Sequence, residues 1–306
     1  MKKAVKLLSF ILILSLAVFV FTACGASRTN EDSSGSSEST EENSSETEST
    51  PATKSEDTIK ISAIGLEDPA KMIENFKPLC DYLTSKIGKK VEFIPAATYE
   101  KAVEGLKDGT VDMAHLGPVT YVQAHDGFGA EALVKALEKG KTEYSSVIFT
   151  KKDSPITSVE QLKGKKVAFG DKDSMSSNCG PKYFMYNKGI KESDLAEAKN
   201  HTSQNDVIFA VLNGDFDAGT IKDGVFDKNK DKDIKEIGRQ EHIPTFAMTA
   251  RTGLDAKVKD DLKKALLELK DTEILKAVDK NYSGFTEVSD EDYAWVRDAM
   301  NKLGIK

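Results

Sequence analysis

The sequence predicts an α/β protein of two lobes, each a mostly parallel sheet flanked by helices, the two joined by hinge strands. Three observations carry this. From Thr58 onward, short apolar runs alternate with helical spacings, the mark of βαβ units. Two apolar stretches, Tyr144–Thr150 and Thr245–Ala250, are placed to carry the chain out of one lobe and back. The C-terminal part is helical and is expected to pack on the first lobe. The boundaries read as 58–145 with 248–306 for lobe one and 146–247 for lobe two. In open α/β sheets a ligand sits beyond the strand C-termini, so a cleft between lobes is the expected site.

Residues 1–24 read as a targeting segment. Lys2, Lys3 and Lys6 precede an apolar run, Leu7 to Phe21, too short and one-sided for a spanning helix. The run ends in Phe21-Thr22-Ala23-Cys24-Gly25, similar to a bacterial lipobox, with Phe21 where Leu is usual. Cys24 is then expected to be lipidated; the alternative is an ordinary signal peptide with an incidental Cys. Residues 25–57 are Ser, Glu, Thr and Asn with little to bury. They hold nine acidic residues against Arg28 and Lys54, a net of −7, equal to the whole chain's charge. The lysines of the leader add +3, leaving −3 for residues 58–306. The acidity belongs to a disordered tether, and the body is close to neutral. No basic stripe suggests nucleic acid.

Within the body, Ile59–Ile64 alternates as a strand and Gly65–Pro69 is a loop. Met72–Ile87 has helical spacing, with Pro78 implying a kink or two short helices. Val91–Ile94 is a strand, Tyr99–Leu106 a helix, and Val111–Leu116 a strand ending at Gly117-Pro118, after which Val119–Ala124 starts a helix. Glu131–Glu138 and Tyr144–Thr150 are strands around Lys139-Gly140-Lys141. Val159–Leu162 is a short helix, Glu197–Asn200 a strand, Val207–Leu212 a helix closed by Asn213-Gly214, and Asp217–Ile221 a strand. Helices over Ala256–Leu269, Ile274–Val278 and Asp290–Leu303 end the chain.

The stretch richest in chemistry is Lys166–Pro181. Val167-Ala168-Phe169 suits a buried strand, and Gly170–Asp173 breaks it. Ser174, Ser176 and Ser177 follow, then Pro181 and a helical run that stops at Gly189. The serines fall in the first turn or the loop feeding it. Backbone N–H groups there lack helical partners and the dipole is positive, which suits a small anion. The plainer alternative is that Ser174 or Ser176 caps the helix.

An enzyme is weighed and set aside. There is no Gly-x-Ser-x-Gly elbow, and no phosphate loop of the Gly-x-x-x-x-Gly-Lys type. His115, His125, His201 and His242 are scattered without metal-ligand spacing. No metal or cofactor is expected. Cys80 and Cys179 are expected as free thiols, since a bridge between lobes would block opening.

The order of pieces resembles the substrate-binding proteins of phosphonate, phosphite and phosphate ABC importers. Three segments carry the resemblance: Tyr99–Leu106 with Val111–Ala114, Lys166–Pro181, and Ala210–Gly219. Ile243-Pro244 through Leu254 adds a weaker fourth. The resemblance implies a periplasmic-binding-protein fold of type II-like form, hinge closure on a ligand, and no catalysis. It implies a permease and an ATPase as partners, and a monomer held by its lipid on the extracytoplasmic face of the cell membrane.

The resemblance also implies site positions. Tyr99 matches a family Tyr at the ligand. A family Ser-Thr-Ser-Gly becomes Ser174-Met175-Ser176-Ser177. A family His aligns with Gln204, since His201 lies three residues too early. A family Asp aligns near Phe246 and a pocket Tyr with Leu116. A phosphonate-type oxyanion held by the serines is the leading ligand. A less charged organic molecule such as an amino acid is the alternative, its body covered by Phe246, Met175 and Leu116. A surface adhesin is the reading from another class.

Overall fold

The computed structural model describes residues 58–64 and 68–306. The leader, Cys24, the tether and positions 65–67 of the first loop lie outside the described residues.

The chain builds two sheets. The first uses β1 (Thr58–Ile64), β2 (Lys90–Ala96), β3 (Met113–Leu116), β4 (Glu131–Glu138), β10 (Ala247–Ala250) and β11 (Tyr282–Thr286), in the order β11-β4-β10-β3-β1-β2. The second uses β5 (Glu143–Lys151), β6 (Lys166–Phe169), β7 (Glu197–Asn200), β8 (Ala218–Lys222) and β9 (Ile234–Pro244), in the order β7-β6-β8-β5-β9. The chain leaves sheet one after Glu138, enters sheet two at Glu143, and returns between Pro244 and Ala247. The two passages lie side by side: Thr245 donates its N–H to Thr142 O at 3.0 Å, and Ala136 donates to Phe246 O at 2.9 Å.

Both sheets are mixed rather than mostly parallel. β1 pairs parallel with β2 and β3, while β10 and β11 run antiparallel to their neighbours. β6 is parallel to β7 and β8, while β5 runs antiparallel to β8 and β9. The cause is connectivity. Strands joined by a crossover helix must run parallel, but those that carry the chain between sheets enter from the opposite end.

Helices follow local signals. α1 (Pro69–Ile87) starts on the Asp68 carboxylate, which accepts from Ala70 N–H, and stops at Gly88 in the left-handed conformation. It stays one helix through Pro78, because Met72, Phe76, Leu79 and Leu83 bury one continuous face. α2 (Tyr99–Asp108) is capped by Thr98, and α3 (Pro118–Phe128) opens on Pro118. α4 (Gly180–Asn187), α5 (Gln204–Asn213) and the short α6 (Asp223–Asn229) flank sheet two. Ser203 caps α5 by accepting from Asp206 N–H, and Gly214 closes it. α7 (Ala256–Glu268) and α8 (Thr272–Val278) pack on α1, with Leu262, Leu266 and Leu275 in the core there.

α9 (Ala294–Leu303) departs from the expectation that the whole C-terminal part rests on lobe one. It packs on α3 and also on α4, where the Tyr183 hydroxyl donates to Asp298 at 3.0 Å. Residues of both sheets therefore share one apolar cluster, with Leu106, Tyr121 and Val296 meeting Tyr144, Met175 and Ile243.

Candidate functional site

Strand ends from both sheets converge on one cavity of about 430 Å³. Ala63 and Ile64 close β1, His115 sits near the end of β3, and Lys222 closes β8. The stretch after β6 supplies Asp173, Ser174, Met175 and Ser176.

The serine turn is built by a dense set of bonds. Ser174 caps a π-helical turn over Met175–Cys179 that runs straight into α4. Cys179 N–H reaches back to Ser174 O at 3.0 Å, the wider spacing that marks this geometry and often accompanies functional sites. The Ser174 hydroxyl accepts from Ser177 N–H at 3.3 Å and from the Ser177 hydroxyl at 2.8 Å. Ser146 donates to Ser176 O and Thr220 donates to Ser177 O at 2.6 Å, so sheet two grips the turn from below. Capping and anion binding are compatible in principle: the Ser174 hydroxyl takes only the Ser177 N–H, while Ser174, Met175 and Ser176 line the cavity.

Of the residues singled out from sequence, Tyr99, Ser174, Met175, Ser176, Gln204 and Phe246 line this cavity. Leu116 and Ser177 do not. Leu116 is fully buried among Leu106, Val119 and Ala247, because alternation along β3 turns its neighbour His115 to the cavity instead. The Ser177 hydroxyl is turned inward, spent on Ser174.

Tyr99, at the start of α2, lines the same cavity as Ser174. Burial, helped by the nearby Asp171 carboxylate, pushes its phenol up to about 12, so it is a neutral group that can donate. Gln204 accepts Lys222 N–H on its side-chain oxygen at 2.6 Å, which holds the carboxamide in place. Phe246 stacks on His115 with ring centres 5.0 Å apart.

Among the cavity residues that escaped the sequence reading are Lys222, Glu138, Tyr144 and Tyr282. Lys222 Nζ donates to both oxygens of Glu138 at 2.7 and 2.8 Å. The pair spans the sheets, since Glu138 ends β4 and Lys222 ends β8. It is shielded from solvent, and the ammonium also lies 4.4 Å from the centre of the Tyr144 ring. Burial, then the charge of Glu138, holds the Tyr144 phenol well above its ordinary value. One signal was available in sequence: a charged residue closing a buried strand sits where α/β sheets place ligands. The cavity carries three carboxylates, Glu138, Asp173 and Asp279, against four lysines, Lys222, Lys228, Lys276 and Lys280. The excess is positive although the whole body is slightly acidic.

Comparison with known proteins agrees with this geometry. A sequence model of the family described as "ABC transporter, phosphonate, periplasmic substrate-binding protein" matches residues 61–293. The phosphate-import protein PhnD of Mycolicibacterium smegmatis is 28% identical over 282 residues, covering 81% of this chain and 86% of its own. The phosphonates-binding periplasmic protein of Escherichia coli is 26% identical over 221 residues, 68% of this chain and 65% of its own. The fold is that of PhnD1 from Prochlorococcus marinus, whose structure holds methylphosphonate: TM-score 0.71 at 21% identity, covering 82% of this chain and 99% of that one. The chain thus belongs to the periplasmic substrate-binding proteins of phosphonate ABC transporters.

Proposed function

We propose that this protein captures a phosphonate- or phosphate-type oxyanion outside the cytoplasm and delivers it to a permease and ATPase of an ABC importer. The observation that carries this is the pairing of Ser174 and Ser176, at a helix start in one lobe, with Tyr99 from the other, around a cavity whose charged side chains are net positive. An oxyanion needs several donors to offset its lost hydration. Hydroxyls of Ser174, Ser176 and Tyr99, with the leading N–H groups of the turn, supply them. Met72, Met175, Phe76 and Phe246 form an apolar wall that suits the organic part of a phosphonate. Because donors come from both lobes, the ligand is bound completely only when the lobes are shut, so it favours the closed form.

Lipidation at Cys24, the disordered tether, residence on the outer face of the cell membrane, a monomeric state and the lobe boundaries 58–145 with 248–306 and 146–247 belong to the same proposal. A soluble body on a flexible leash next to its permease suits capture and delivery. The relatives' printed substrates, phosphate and phosphonates, support the ligand class.

Calorimetry with methylphosphonate, phosphate and a panel of amino acids tests the reading. Heat with a phosphorus oxyanion is expected. Silence with every such oxyanion, and heat with an amino acid, would transfer the protein to the organic-ligand alternative.

A further inference from the structure

The cavity contains acidic side chains that an anion-binding site does not need. Their pairing says what the ligand lacks. Glu138 has both oxygens engaged by Lys222. Asp173 accepts from Lys172 Nζ at 2.7 Å on one oxygen and from Gln123 at 3.3 Å on the other. Asp279 accepts from Asn281 N–H at 2.8 Å. Two of the three cavity carboxylates, Glu138 and Asp173, thus have a protein cation in direct contact.

We infer that the cavity takes phosphorus oxyanions without an amino group and turns away those that carry an ammonium, with Lys222 as the residue that decides. This rests on the oxyanion reading above and narrows it. An ammonium on the ligand seeks a carboxylate, and Glu138 is a buried one at the passage between the sheets. Lys222 already fills that role from within the chain. Moving it costs both Glu138 bonds and its contacts with the rings of Tyr144 and Phe246, in a place from which solvent is largely excluded. An incoming ammonium would meet a like charge in a poorly screened place, or strip a buried carboxylate of its partner. A neutral alkyl group of the same length meets neither cost and finds the aromatic wall.

The test is calorimetry of the intact protein with ethylphosphonate and aminoethylphosphonate, which differ in the terminal ammonium. The wild-type protein should bind aminoethylphosphonate at least about tenfold more weakly, the scale of a like-charge contact out of water. Lys222→Met frees Glu138 and should narrow or reverse that ratio. Glu138→Gln leaves Lys222 charged and unpaired, and should widen it, which keeps the idea open to refutation if Lys222→Met fails to fold. Equal binding of the two compounds by the wild-type protein, or a ratio that neither substitution moves, overturns the inference. If neither compound binds the wild-type protein, the oxyanion reading itself falls and takes this one with it.

Discussion

Tyr282 and His115 meet with the phenol oxygen 2.7 Å from Nε2, both rings buried at the edge of the cavity. Burial, opposed in part by the Asp279 charge and helped by a smaller push from Lys222, holds the imidazole down to about 4, so it is neutral at physiological pH. Unfolding returns it to about 6.5. The unfolded chain therefore binds more protons between these values. Stability from this group is complete above the unfolded value and is lost as pH falls toward the folded one. The loss should reach roughly 3 kcal/mol. Urea melts of the wild-type protein and His115→Gln down to about pH 4 check it. The variant, which cannot titrate there, should show a shallower fall.

Ser176 and Ser177 stand next to each other but face different ways. Ser176→Ala should weaken oxyanion binding by about 1–3 kcal/mol, the worth of a hydrogen bond to a charged group. Ser177→Ala removes a bond to Ser174 inside the turn and should affect the melting temperature more than the affinity. Calorimetry and thermal melts of both variants separate the roles. Equal affinity losses would return Ser177 to the binding surface.

Gly170 lets the serine turn sit where it does. A Cβ there would lie 2.0 Å from the Ser177 hydroxyl oxygen, and the Gly170 N–H donates to Ser177 O at 2.8 Å. Gly170→Ala should push the turn out of register and lower oxyanion affinity while leaving sheet one intact. Hydrogen exchange should show faster exchange over Met175–Cys179 and unchanged protection in β1 and β3.

Cys80 and Cys179 are both buried and free, in separate clusters. Burial is the main cause that pushes each thiol up to about 12. Neither should react with a thiol reagent near neutral pH until the protein is unfolded. Fast labelling of the native protein at Cys179 would mean that the lobe interface opens to solvent often.

Local rules made much of this protein legible in its sequence. Ser174 caps the turn where its place before Pro181 pointed, and Gly214 ends α5 in the left-handed conformation where Asn213-Gly214 stood as a stop. The strands with a buried apolar run, β1, β3 and β8, stand where alternation put them. β9 and β11 went unseen. The segment Ile234–Pro244 is mostly half-exposed at a sheet edge, so its side chains carry little apolar signal, and Tyr282–Thr286 is broken by Gly284.

Sequence alone determined the family, the two-sheet plan and the serine turn, because each is written in residues close together along the chain. Only the tertiary structure decided that Lys222 meets Glu138, 84 positions away, that His115 rather than Leu116 faces the cavity, and that α9 touches both lobes. A short-range pattern encodes which face of an element is apolar. It does not encode which distant charge that face will meet once the sheets have stacked.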